Sequence, residues 1–222
     1  IDDNSRKRHT KYQSQEDHTS VHNKISRQVD NADKTVRRIS VKPKINPIPP
    51  SMEEVKIFLI RKGMIEESLT LEDLKKLKNL DFKTELTNED IRFIAQLTQL
   101  QSLSISGDSI NDLSVLKRLH QLESISIKSD SLVELSSLNG LTQLKSLSIS
   151  GNSLNDLSAL KNFPKLESIS IKSDSLDELP SLNGLAELKS LSISGELLSD
   201  LSGLKDLSQL NSLTIESDIL TE

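Results

Sequence analysis

From Leu100 onward the chain repeats one arrangement of apolar and polar positions every 22 residues. Leu100, Leu122, Leu144, Leu166, Leu188 and Leu210 fall at the same phase, with no insertion between them. Apolar residues stand at offsets 0, 3, 5, 10, 13, 16 and 19. In the second repeat these are Leu122, Ile125, Ile127, Leu132, Leu135, Leu138 and Leu141. Offsets 3 and 5 share one face of a short strand, whose side chains alternate with period 2. Offsets 10 to 19 fit a tight turn of irregular or 3₁₀ backbone. Self-similarity at a fixed short period predicts an α/β repeat solenoid over 100–222, with five full repeats and a partial sixth. One repeat buries too little apolar surface to offset the entropy of ordering it, whereas stacked repeats share a continuous core. A longer period overlies the short one. "LESISIKSDSLVELSSLNGLTQ" at 122–143 returns 44 positions later as "LESISIKSDSLDELPSLNGLAE", so a two-repeat unit has been duplicated.

The pattern changes over 51–99, where helical spacing predicts a helical N-terminal cap. "SMEEVKIFLIRKG" opens with Ser51 and Glu54 in capping-box spacing, carries an apolar stripe of Val55, Phe58 and Leu59, and stops at Gly63. "TLEDLKKLKNL" repeats the device with Thr70 and Asp73, and "TNEDIRFIAQL" does so again from Thr87. Three of the four Phe (Phe58, Phe82 and Phe93) lie here, as expected of a segment that closes a core instead of extending it.

Residues 1–50 are polar and read as a flexible basic arm, too poor in large apolar side chains to fold alone. Val21, Ile25, Val29, Ala32 and Val36 recur at spacings of 3 and 4, a weak amphipathic helix, and "PKINPIPP" is a stiff extended linker. The overall charge of −5 hides an asymmetry. The arm holds 11 basic and 6 acidic residues, and the rest holds 17 basic and 27 acidic. The arm's basic clusters, around Arg6, Lys7 and Arg8 and around Arg37 and Arg38, are candidate partner contacts. Docking onto an acidic protein surface within a larger assembly that orders the arm is favoured over nucleic acid or anionic membrane, because Tyr12 is the arm's one aromatic for base stacking.

Composition removes several function classes. With no Cys there are no disulfides, thiolate metal sites or cysteine nucleophiles. No apolar run approaches the roughly 20 residues of a membrane helix. The sequence begins at Ile1 and shows no signal peptide, so targeting information is expected upstream if it exists. Aromatics make up 2% of the chain, consistent with thin aliphatic layers in place of a ring-filled core.

The residues "LTQLKSLSISGNSLNDLSAL", preceded by a short helical cap, resemble the bacterial internalin-type leucine-rich repeats, a resemblance covering about residues 45–222. It implies a parallel sheet on the concave side, 3₁₀ turns on the convex side and a helical N-terminal cap. It also implies a non-enzymatic protein-interaction module, in a family whose members are mostly bacterial surface or secreted proteins; a cytoplasmic scaffold stays open. Two departures stand out. Where the family places Asn after the strand, this chain has Asp108, Asp130, Asn152, Asp174, Glu196 and Asp218. A carboxylate accepts but cannot donate, which predicts a weaker ladder and a more acidic edge. The sequence also reaches Glu222 partway through its sixth repeat. Further chain or a partner is therefore expected to cover Leu210, Leu213, Ile215 and Leu220.

The candidate partner-binding residues of the concave face are Ser104, Ser126, Lys128, Ser148, Ser170, Lys172 and Ser192. Trp, Tyr and Arg, the usual interface anchors, are missing there, so a flat polar binding surface competes with a merely solubilising one. The two lysines, two repeats apart, are expected roughly 10 Å from each other. No catalytic residue is assigned: a serine nucleophile needs a positioned base, and His120 falls on a convex turn. Asp112, Glu134, Asp156, Glu178 and Asp200 form an acidic column, read as capping the convex turns in preference to a cation ladder. His18 and His22, beside Glu16 and Asp17, are too few and too loosely held for a metal site. No metal or cofactor is implied.

Overall fold

The computed structural model describes residues 48–205 and 207–219. Three helices open the described chain: α1 (Met52–Arg61), α2 (Leu71–Leu74) and α3 (Asn88–Ile94). Each begins with a reciprocal capping box, Ser51 with Glu54, Thr70 with Asp73, and Thr87 with Asp90. In each, the N-cap hydroxyl accepts the N3 amide and the acid at N3 accepts the N-cap amide, satisfying two otherwise orphaned donors. The acids of the first two boxes, Glu54 and Asp73, are held below the usual carboxylate range, chiefly by hydrogen bonds from Ser51 and Thr70. After α1 the chain turns at Gly63, whose φ of +69° suits a residue without a Cβ. Val55, Phe58 and Leu59 are buried as the stripe predicts, and Phe58 stacks on Phe93 with ring centroids 4.9 Å apart.

Between α2 and α3 the structure departs from the helical expectation. Asn79–Glu85 is a strand, β1, with Leu80 and Phe82 turned into the core. Leu71, Leu74, Leu77 and Leu80 keep helical spacing, but the exposed edge of the next strand offers a ladder of backbone partners. Local propensity yields to that tertiary demand. The sheet thus starts inside the cap.

Strands β2 (Ser102–Ser106), β3 (Ser124–Lys128), β4 (Ser146–Ser150), β5 (Ser168–Lys172), β6 (Ser190–Ser194) and β7 (Ser212–Glu216) follow at one per repeat. With β1 they form a single parallel sheet in sequence order. Register tracks the 22-residue period residue for residue: Ser104 pairs with Ser126, then Ser148, Ser170, Ser192 and Thr214. Residues at the predicted apolar offsets, such as Leu147, Ile149, Leu154, Leu157, Leu160 and Phe163, fill one continuous core. The convex turns are 3₁₀ at Ser114–Arg118, Ser136–Leu138, Ser158–Asn162 and Ser202–Leu204. The fourth turn along the chain, at 180–182, is not. Pro180 replaces the serine that opens the others and has no N–H or hydroxyl to give. The segment runs extended instead, donating from the Leu179 and Leu182 amides to Asp200 O and Gly203 O of the next turn.

The 44-residue period has its own cause, which the apolar pattern does not carry. The residue after each strand alternates between glycine and serine: Gly107, Ser129, Gly151, Ser173, Gly195, Ser217. Ser129 and Ser173 are fully buried, and each hydroxyl donates at 2.6 Å to a carbonyl 19 residues earlier, Ile110 O and Leu154 O. Gly151 has no room for a side chain: a Cβ would stand 1.7 Å from Ser129 O. Serine-bearing and glycine-bearing rungs therefore pack by different rules.

Candidate recognition face

The outward side of the sheet is built by the same alternation that fills the core. With Leu and Ile inward at offsets 3 and 5, the residues at offsets 2, 4 and 6 must face out. The six repeat strands set three aligned columns across the sheet. One runs from Ser102 to Ser212, one from Ser104 to Thr214, and one carries Ser106, Lys128, Ser150, Lys172, Ser194 and Glu216. All seven predicted face residues (Ser104, Ser126, Lys128, Ser148, Ser170, Lys172 and Ser192) lie on this side, partly or fully exposed. Register puts Lys128 and Lys172 two strands apart with Ser150 between, consistent with roughly 10 Å.

Charge on this face is unevenly placed. Lys128 and Lys172 are exposed and, among the described residues, have no ion-pair partner within 4.0 Å. The flanking lysines behave differently. Lys145 pairs with Glu123 at 2.9 Å and Lys189 with Glu167 at 2.6 Å, one repeat apart at offset 1. Each pair raises its lysine and the second also lowers Glu167, by side-chain hydrogen bonding first and charge second. The alternation of "LES" with "LKS" at 22-residue steps carries this ladder in the sequence, and the apolar analysis passed over it. Carboxylates appear on the outward face only at its two ends. Asp81 on β1 pairs with Lys83, Glu85 accepts from Ser106 Oγ and the Asp108 amide, and Glu216 stands on β7.

The other predicted features separate clearly. Asp112, Asp156 and Asp200 each accept the backbone N–H two residues on, from Ser114, Ser158 and Ser202 at 2.7–2.9 Å, as turn capping requires. Those backbone bonds are the main reason Asp156 and Asp200 sit below the usual aspartate range. Glu134 and Glu178 instead make isolated parallel bridges with Asp156 and Asp200, while Ser136 Oγ donates to Glu134. No cluster of three or more metal-ligating side chains occurs among the described residues. The post-strand acids also bridge repeats: Asp130 accepts the Asn152 amide at 3.2 Å. His120 is exposed on a convex turn, away from the serine columns. At the far end Leu210 and Ile215 are half-buried while Leu213 and Ile219 are about half exposed (49% and 50%), so apolar surface is open there. Leu220 and the arm residues Arg6, Lys7, Arg8, Arg37 and Arg38, like the histidine pair, lie outside the described residues.

No protein-family model and no curated protein sequence matches the chain. Solved structures do. The chain superposes on internalin C2 of Listeria monocytogenes with a TM-score of 0.51 at 22% identity, covering 72% of this chain and 91% of the other. This is an internalin-type leucine-rich-repeat fold. A second Listeria internalin, InlF, matches over 68% of this chain and 57% of its own length, at 21% identity and a TM-score of 0.40. A Leptospira interrogans leucine-rich-repeat protein gives 16% identity and a TM-score of 0.27. The internalin-type solenoid accounts for the sheet, the turns and the helical cap. Among the described residues, none of its helices is long and apolar enough to cross a membrane.

Proposed function

We propose that this protein is a non-enzymatic recognition module that binds a protein partner on the outward face of its sheet. One observation carries the reading. All-parallel sheets are ordinarily covered on both faces, yet here no described helix packs on the outward side, and the aligned columns Ser102–Ser212, Ser104–Thr214 and Ser106–Glu216 stay partly or fully exposed. A broad, register-locked polar surface of this kind supports contact with another molecule better than it supports chemistry, since among the described residues the one histidine, His120, lies on a convex turn away from these serines. The partly exposed apolar residues Leu210, Leu213 and Ile215 support a second contact with a partner surface. Placement at a bacterial surface or in the secreted fraction follows from the internalin resemblance alone.

The test is a steric block. Ser148 lies mid-sheet on the central column, so Ser148→Trp puts a large ring on the face without touching the core. Proteins cross-linked by the unaltered chain should be lost with Ser148→Trp and kept with Lys161→Trp, on the opposite side. Equal retention by both variants would overturn the reading.

A further inference from the structure

Resting on that reading of the face, we propose that the partner presents a short acidic polypeptide segment to Lys128 and Lys172. Residues 51–222 carry 17 basic and 27 acidic residues, so most of this surface repels anions. The middle of the outward face is the exception. From β2 to β6 its positions hold thirteen serines, two lysines and no carboxylate. The lysines of the neighbouring offset are neutralised by Glu123 and Glu167, whereas among the described residues no carboxylate pairs with these two within 4.0 Å. An ammonium pair roughly 10 Å apart matches two carboxylates three residues apart on a polyproline-II-like chain, where every third side chain shares a face at about 3.1 Å per residue, or two turns apart on a helix. The hydroxyls of Ser126, Ser148, Ser150 and Ser170 lie between and beside them as donors to carboxylate and carbonyl oxygens.

Placement of the acids also selects the class of ligand. Glu85 on β1 and Glu216 on β7 close both ends of the positive stretch. A uniform polyanion (a nucleic acid or a sulfated polysaccharide) running past the lysines would meet these carboxylates. A protein bearing a local acidic patch would not. Electrostatics of this kind steers encounter and suppresses wrong partners more than it adds affinity.

The experiment uses the full chain and a fluorescein-labelled twelve-residue Ser/Gly peptide with Glu at three-residue spacing, read by anisotropy, with the Gln version of the peptide as a blank. Heparin and single-stranded DNA serve as rival ligands. Lys128→Glu/Lys172→Glu should weaken Glu-peptide binding by about tenfold or more at low ionic strength, and the difference should shrink above about 0.5 M salt. Lys161→Glu/Lys165→Glu, with the same change in net charge, should alter it less than about twofold. Equal weakening by both pairs assigns binding to bulk charge or the basic arm and overturns the proposal. So does heparin or DNA binding that depends on Lys128 and Lys172 while the peptide does not bind. If Ser148→Trp abolishes partner capture and lysine reversal leaves it intact, the recognition face stands and the acidic segment falls. If peptide binding depends on the lysines but capture ignores Ser148→Trp, the recognition reading falls instead.

Discussion

Replacing Gly151 by alanine tests the packing of the repeats most directly. The new Cβ would sit 1.7 Å from Ser129 O and 2.6 Å from Ser129 C, both backbone atoms that cannot swing aside. Ordinary carbon contacts are about 3.5–4.0 Å, so adjacent rungs must part by well over 1 Å at a spacing of about 4.8 Å. Such a shift stretches the bond from the Asn152 amide to Asp130 Oδ1, already 3.2 Å, beyond hydrogen-bonding range. Overpacking costs about 1–3 kcal/mol and each lost bond about 0.5–1.5 kcal/mol. Alanine returns about 0.4–1 kcal/mol by restricting the unfolded chain. The expected net loss is about 0.5–4 kcal/mol, or roughly 1–16 °C in melting temperature for a chain of this size. Gly151, Gly107 and Gly195 are absent from the positive-φ glycines, so backbone strain does not confound the comparison.

The three sites form a graded series. At Gly107 the nearest backbone atom to a Cβ is Leu86 O at 2.0 Å, and at Gly195 it is Ser173 O at 2.9 Å. Gly107→Ala should approach Gly151→Ala, whereas Gly195→Ala should lose less than about 1 kcal/mol, its smaller clash being offset by the entropic gain. Thermal and urea unfolding followed by far-UV circular dichroism would rank them. Gly151→Ala melting within about 1 °C of the unaltered chain, or Gly195→Ala as the worst of the three, would refute the close-approach account.

The serine rungs predict the complementary result. Ser173→Ala removes the buried 2.6 Å bond to Leu154 O and should cost about 1–3 kcal/mol in urea unfolding, while Ser217→Ala, at a part-buried site, should cost less. Asp156 and Asp200 have folded-state pKa values below their unfolded value of about 3.9, so their contribution is fully present above that value and is lost as pH falls through the lower folded one. Stability should therefore be flat in this respect from neutrality to about pH 5 and decline below about pH 4. Asp156→Asn/Asp200→Asn should flatten that acid limb in unfolding measured from pH 2 to 7.

Legibility followed periodicity. Strand positions, the core from Leu100 to Leu198 and the three capping boxes were readable because each depends on residue type at fixed local spacing. β1 was not. Leu80 of "NLDFKTE" continues the helix-compatible spacing of Leu71, Leu74 and Leu77, and the strand state is imposed by β2, a partner whose edge no local window contains. The serine and lysine positions of the face were readable from alternation, but its charge isolation was not. That isolation depends on which lysines find a carboxylate 22 residues away, as Lys145 and Lys189 do with Glu123 and Glu167.

The duplicated 44-residue unit makes sense of both levels. Gly151 lies close to the serine rung before it, leaving no space beside Ser129 O, as Gly107 does beside Leu86 O. A serine rung must leave room for a hydroxyl to reach back to Leu154 O or Ile110 O. Serine and glycine rungs alternate through both copies, so the two-repeat unit is the segment whose copying preserves that alternation. Lys128 and Lys172 occupy the same place in successive copies, directly before Ser129 and Ser173. Their spacing on the face follows the duplicated unit, and a further copy of that unit would add one more lysine two strands on. The periodicity that stabilises the rod also fixes the distance at which it can meet paired negative charges.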